Sequence, residues 1–311
     1  MPTIETLLRK AETSIPRFEA ELLLAHIIKK TQVFVIAHPE YFISEEPTNQ
    51  FASYTLRRIQ HEPIALIVGH KEFYGREFLV NQHTLIPRPE TELLVENIQE
   101  HISNTKSDSQ KISFHKHTSI LILDIGTGSG NIITTLAEEI ATHADDKKNF
   151  TFLATDISES ALDEAKKNAE QINPRHNIQF IHSNLLEKIP KKKFLDADEI
   201  LIAANLPYLS KKEFHQAPPD VQNFEPKSAL ESGTAGLDHY QRLLEELRQF
   251  FEEQKINPKT TLFFEISPSQ ETSIQQLILA IFPQSTVTLF QDLAKKYRLA
   301  KISLNVSSQA R

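Results

Sequence analysis

The chain carries only seven glycines, and three of them, Gly126, Gly128 and Gly130, fall within five consecutive positions. They belong to Asp124-Ile125-Gly126-Thr127-Gly128-Ser129-Gly130, which follows the apolar run Ile120-Leu121-Ile122-Leu123. A segment with Ile132, Ile133, Leu136, Ala137 and Ile140 at helical spacing comes next. Buried strand, glycine turn and amphipathic helix, in that order, make one unit of an open α/β sheet. Glycine there lets the backbone approach a ligand with dihedrals that a Cβ would forbid. The alternation continues downstream. Residues 152–154, 178–181 and 200–203 read as strands, residues 161–171 and 240–251 as helices, then residues 262–266 as a strand and 274–281 as a helix. Residues 286–290 and 298–304 form a closing pair with no crossover helix between them, so an α/β sheet that is mostly parallel should end antiparallel.

Upstream the pattern is helical from Pro16 to about His61. Phe18, Leu22, Ala25 and Ile28 recur at spacings of three and four, and Phe51, Leu56 and Ile59 lie on a later helix. This predicts a small helical domain over residues 1–62, read either as a structural appendage or as a docking surface. Residues 64–68 and 77–80, around a turn at Gly75, predict a β-hairpin linker over 63–84, leaving 85–311 for the sheet domain. A helix is expected over 90–98. Residues 103–119 are polar and aperiodic and read as a surface insertion, in which His115 and His117 are solvated rather than metal ligands. Lys191-Lys192-Lys193, after Pro190, reads as a solvated loop.

Composition removes several chemistries. With no cysteine, disulfides, thiolate zinc sites and cysteine nucleophiles are excluded. A net charge of −7 argues against a protein that neutralises many phosphates, so direct nucleic-acid binding is not expected. No apolar run approaches the ~20 residues needed to span a bilayer and no leader pattern opens the chain, so cytoplasm is the expected compartment.

Two further elements sharpen the site. A dinucleotide fingerprint would need a glycine where Asn131 stands; the spacing here is Gly-x-Gly-x-Gly, as in sheets that bind adenosylmethionine. Asp156, at the carboxyl end of the second strand, can accept both ribose hydroxyls of a nucleoside cofactor, or it caps the next helix, a task Ser158 can also fill. Asn205-Leu206-Pro207-Tyr208 then follows the fourth strand directly. A planar nitrogen awaiting methylation offers two N–H donors. The Asn205 side-chain oxygen and the Leu206 carbonyl are the matching acceptors, while Pro207 stiffens the turn and Tyr208 packs on the flat group. The bland alternative is a strand-ending Asn-x-Pro turn.

At these residues the chain resembles the HemK/PrmC-like release factor glutamine methyltransferases. Glu19 to His26 and Ala37-His38-Pro39-Glu40 are similar to that family's helical N-domain. Pro63 to Gly69, Glu72-Phe73-Tyr74-Gly75 and the octapeptide Leu85-Ile86-Pro87-Arg88-Pro89-Glu90-Thr91-Glu92 resemble its linker and the start of its catalytic domain. Phe224-Glu225-Pro226, Ala229-Leu230 and Gly236-Leu237 resemble the segment after its tetrapeptide. The resemblance implies a Rossmann-like class I methyltransferase sheet behind a small helical domain. It also implies that Gly126, Thr127, Gly128, Ser129, Gly130, Asp156, Leu185 and Asn205 contact S-adenosylmethionine. Asn205, Leu206, Pro207 and Tyr208 would hold the glutamine of the Gly-Gly-Gln loop of peptide chain release factors, with the N-domain docking that partner. A monomer is expected. Two departures stand out: the family tetrapeptide usually reads Asn-Pro-Pro-Tyr, and Asn184 stands before Leu185 where an aspartate is frequent. The rival readings are methylation of an exocyclic amine in RNA or DNA, and a non-catalytic adenosylmethionine- or partner-binding module.

Overall fold

Thr3 opens the first helix by accepting the Thr6 amide proton, and α1 (Ile4–Glu12), a helix absent from the sequence reading, is followed by α2 (Arg17–Ile27) behind Pro16. α3 (Gln32–Ala37), capped by Thr31, and α4 (Glu45–Ile59) complete the group. In the computed structural model, which describes residues 1–109, 119–143 and 150–304, these helices close on a cluster that includes Ile4, Leu8, Leu23, Leu24, Val35 and Phe51. The stripe expected on α2 is largely the outer one: Phe18 is 57% and Leu22 38% exposed, while Ala20, Leu23, Leu24 and Ile27 are buried. α2 is apolar on more than one face, so spacing alone permits two stripes, and contact with α1, α3 and α4 selects between them. Leu56 and Ile59 are exposed as well.

Residues 64–68 are not a strand. They form the short helix α5 (Ile64–Val68), with Pro63 at its N-cap and Gly69 ending it in the left-handed region at φ 82°, and Ile67 is buried in the helical cluster. A short apolar run fits either structure; Pro and Gly at its two ends decide for a helical turn. The hairpin comes after that glycine, as β1 (His70–Phe73) and β2 (Arg76–Leu79), paired antiparallel about Tyr74-Gly75. The fully buried Asn168 fixes it in place. Its Oδ1 accepts the Leu79 N–H at 2.7 Å, and its Nδ2 donates to the carbonyls of Leu79 and Ser129, each at 2.9 Å.

A 3₁₀ turn at Pro89–Thr91 leads into α6 (Glu92–Ser109), which runs well past the expected helix and through the first part of the expected insertion. Polar composition does not end a helix already anchored by Leu94, Val95, Ile98 and Ile102, all buried. The rest of that insertion up to residue 118, with His115 and His117, lies outside the described residues. The sheet then begins with β3 (Ile120–Ile125), α7 (Asn131–His143), β4 (Phe150–Asp156), α8 (Glu159–Ile172) and β5 (Ile178–His182). It continues with α9 (Lys191–Leu195), β6 (Glu199–Ala204), α10 (Lys211–Gln216), α11 (Pro219–Phe224) and α12 (Asp238–Gln254), then β7 (Lys259–Glu265), α13 (Glu271–Ile281), β8 (Thr286–Gln291) and β9 (Tyr297–Leu304). The lysine run is thus one helical turn rather than a loop, because Phe194 turns inward and is buried while Lys191 and Lys192 stay exposed.

Seven strands stand in the order β5-β4-β3-β6-β7-β9-β8. The first five are parallel, and β9 lies antiparallel between β7 and β8, as the closing pair predicts. Alternate residues of β3 serve opposite faces: Leu121, Leu123 and Ile125 join the core under α12 and α13, and Ile122 joins the core under α6 and α7.

Candidate active site

Three loops meet because their strands share a register. Ile125 of β3 lies beside Thr155 of β4 on one side and Ala204 of β6 on the other. The glycine loop, Asp156 and Asn205 therefore leave the sheet at one level, where the chain reverses its direction of strand addition. They line a cavity of about 250 Å³.

The glycines divide the work. All three have positive φ, at 74°, 55° and 77°. A Cβ on Gly126 would stand 2.9 Å from Leu206 Cδ2, and one on Gly130 2.9 Å from Ala165 Cβ, whereas one on Gly128 would meet nothing within 4 Å. Gly126 thus lets the tetrapeptide come close, Gly130 lets α8 pack against the loop, and Gly128 leaves room beside the cavity. Asp124 lies beneath, fully buried, accepting the Thr127 hydroxyl proton at 2.6 Å; burial pushes its carboxyl up to about 7. Asp156 accepts the Gly128 N–H at 2.9 Å and the Ser158 N–H at 2.8 Å, and burial raises its pKa. The capping task goes to Ser158, whose hydroxyl accepts the Ala161 N–H at 3.2 Å. Leu185 and Asn184 border the same cavity, and Leu185 holds a left-handed backbone at φ 52°.

On the other wall, Asn205 Nδ2 donates to Thr91 Oγ1 at 3.2 Å, while Asn205 Oδ1 is buried without a partner. Leu206 is buried, and its N–H reaches the Tyr240 hydroxyl at 3.3 Å; a proline there has no such donor. Tyr240 in turn donates to the Glu265 carbonyl at 2.5 Å. Pro207 borders the cavity, and Tyr208 borders an adjoining one of about 290 Å³ that shares Leu85, Arg88 and Ala229 with the first. The Tyr208 hydroxyl donates to Glu265 Oε1 at 3.2 Å. Glu265 is fully buried at the end of β7, and burial pushes its carboxyl up to about 7, with Thr91, Tyr208 and Arg298 drawing it back. Gln270, after β7, donates to the Tyr208 carbonyl at 2.9 Å.

Every site residue expected from sequence except Gly130 and Tyr208 thus borders one cavity. Sequence reasoning gave no role to Thr91, Glu265 or the Arg88–Glu225 ion pair. Glu225 also accepts the Ile86 N–H at 3.1 Å, so it ties the octapeptide to the Phe224-Glu225-Pro226 segment. Among the described residues no three His, Asp or Glu gather as metal ligands.

Known proteins match this architecture. Residues 3–69 fit the family model of the PrmC N-terminal domain, and residues 116–218 fit that of a methyltransferase domain. The chain is 31% identical to the release factor glutamine methyltransferase of Bacillus cereus, covering 90% of this chain and 89% of that one. With the release factor glutamine methyltransferase of Enterococcus faecalis it shares 33% identity, over 85% of this chain and 84% of the relative. The bifunctional methyltransferase of Rickettsia typhi is 35% identical over 95% of this chain but only 55% of its own length; the chain spans about half of the bifunctional relatives it matches. Among solved structures, the hMettl16 catalytic domain in complex with MAT2A 3′UTR hairpin 6 superimposes with a TM-score of 0.52 at 16% identity, covering 85% of this chain and 84% of that one, a likeness of fold.

Proposed function

The chain belongs to the release factor glutamine methyltransferase family, and we propose that it transfers a methyl group from S-adenosylmethionine to the side-chain amide nitrogen of the Gly-Gly-Gln glutamine in peptide chain release factors. The observation that carries this reading is Asn205 Oδ1, a buried acceptor without a partner on the cavity wall. A bare buried acceptor costs about 1–3 kcal/mol, and a primary amide brings the N–H that satisfies it. The residues fit the cofactor as well. Gly128 has open space where a Cβ would stand, and the Asp156 carboxylate, already bound by two N–H groups, keeps lone pairs for ribose hydroxyls. Leu185 offers an apolar wall.

The sulfonium of S-adenosylmethionine supplies an electrophilic methyl group, so no base is needed before transfer. The protein's work is alignment. Asn205 Oδ1 accepts one N–H of the glutamine amide, the Leu206 carbonyl accepts the other, Pro207 stiffens the turn and Tyr208 packs beside the planar group. Holding nitrogen and methyl carbon in line is worth roughly 7–11 kcal/mol of barrier, and the extra proton leaves afterwards. Residues 1–62 would dock the release factor through apolar side chains left outside, Phe18, Val33, Ile36 and Phe42 among them; 63–84 form the linker and 85–311 the catalytic domain. No helix among the described residues is long and apolar enough to cross a membrane, and we place the protein in the cytoplasm, acting as a monomer.

The test is transfer of labelled methyl to a purified release factor. Label that disappears when the Gly-Gly-Gln glutamine is replaced, and with Asn205→Ala in the enzyme, is the expected result. Label on RNA or DNA instead moves the reading to an exocyclic amine, and no label on any acceptor leaves a binding module.

A further inference from the structure

His239, near the start of α12, borders the cavity and has no part in the function proposed above. The buried Ser232 holds it: Ser232 Oγ accepts the His239 backbone N–H at 3.2 Å and lies 2.7 Å from Nδ1 of the same residue. Counting protons fixes the ring. Were Nδ1 the donor, the Ser232 oxygen would take two N–H groups and its own proton would face no acceptor among the described residues, at a cost of about 1–3 kcal/mol. Ser232 therefore donates, Nδ1 accepts, and the neutral imidazole carries its proton on Nε2. Burial keeps the ring neutral by lowering its pKa; Asp238 opposes this and Arg242 adds to it. Nε2 itself has no partner among the described residues.

The loops that line the cavity follow the order of their strands. Asn205 leaves β6, the glycine loop leaves β3, Asp156 ends β4, and Asn184 and Leu185 come after β5. An S-adenosylmethionine with its methyl group at Asn205 and its ribose on Asp156 therefore extends its adenine toward Asn184 and Leu185. α12 closes that end: the Leu186 N–H donates to Glu246 Oε2 at 3.2 Å, and Arg242 donates to Glu187 Oε1 at 2.8 Å. His239 stands one turn before Arg242 and two before Glu246, on the same stripe of the helix. Adenine carries acceptor nitrogens along its ring edge, and a lone N–H donor is their complement. We infer that His239 donates from Nε2 to a ring nitrogen of the cofactor's adenine, and that Ser232 is the positioning residue that holds His239 in the donating tautomer. This deepens the function proposed above and rests on it for the cofactor, not for the methyl acceptor.

The experiment is calorimetric binding of S-adenosylhomocysteine, a probe that needs no methyl acceptor, to wild type, His239→Leu, His239→Gln and Ser232→Ala. Expected is a dissociation constant about tenfold weaker for His239→Leu but within about twofold of wild type for His239→Gln, whose amide N–H reaches nearly as far as Nε2. Melting temperatures without ligand should not change. Ser232→Ala should weaken binding about threefold alone and cost nothing further on the His239→Leu background, a coupling that a merely structural serine would not show. Analogues of the probe with carbon in place of N1, N3 or N7 of adenine locate the contact. One of them should bind wild type about tenfold more weakly than the probe does, and bind His239→Leu no more weakly. In protein labelled with ¹⁵N at histidine, the His239 Nε2 resonance should move when the probe is added. Equal dissociation constants for wild type and His239→Leu, or analogues that lose as much against His239→Leu as against wild type, would overturn the inference. Wild type that does not bind the probe removes the cofactor reading and this inference with it; wild type that binds it but transfers no methyl group to a release factor sinks the substrate reading alone.

Discussion

The helical domain and the sheet domain use apolar residues in opposite ways. In the first, Phe18, Leu22, Val33, Ile36, Phe42, Leu56 and Ile59 are exposed, Val33 by 74%, although the domain is small and needs a core. In the second, the large exposed apolar side chains among the described residues are Ile157, Leu195, Leu279 and Leu293, one to a segment. Its exceptions are buried and polar instead: among several buried side-chain atoms without partners, Asn205 Oδ1 and Glu265 Oε2 belong to the tetrapeptide and to a residue hydrogen-bonded to it. One region leaves hydrocarbon uncovered, the other leaves polar atoms without partners. The first suits a broad macromolecular surface, the second a single planar group.

The comparison can be attacked in order of expected effect. Asn205→Ala should lower kcat by about 10²–10³, the loss typical of removing one preorganised hydrogen-bonding group, with no change in thermal midpoint. A loss smaller than about tenfold would mean the bare oxygen is not where the chemistry is spent. Next, Leu24→Ala should destabilise the helical domain by roughly 2–5 kcal/mol in urea unfolding, while Phe18→Ala stays within about 0.5 kcal/mol. Equal costs would show that the outer apolar residues serve folding after all. Combining Phe18→Ala with Val33→Ala should raise KM for intact release factor about tenfold and leave kcat unchanged. A short Gly-Gly-Gln peptide as substrate should not notice the change. Last, Leu206→Pro should alter stability by less than about 1 kcal/mol, since it exchanges one N–H bond for a stiffer unfolded chain.

The sheet was readable because parallel strands are buried on both faces and appear as unbroken apolar runs, as in Ile120 to Leu123. The cavity's floor was readable for a related reason: Asp156 ends a strand, and the glycine loop and Asn205 each follow one immediately, so finding the strands located the residues that line the cavity. What stayed hidden acts across long separations. Thr91 meets Asn205 over 114 residues, and Glu225 meets Arg88 over 137, contacts that no local spacing encodes. Residues 64–68 and the outer stripe of α2 misled for another reason. Each is apolar enough to satisfy two structures, and the choice is made by neighbours rather than by the segment itself.

The bond from the Leu206 N–H to the Tyr240 hydroxyl has an evolutionary side. In a chain with proline at that place the tyrosine hydroxyl has nothing to accept there, and losing it costs little on that account. Here it covers a buried donor. The two positions are therefore coupled: phenylalanine at Tyr240 leaves the Leu206 donor bare, at about 1–3 kcal/mol, a cost that a proline at 206 does not incur. A change that looks neutral in the tetrapeptide thus shifts the demands on a core residue 34 positions away.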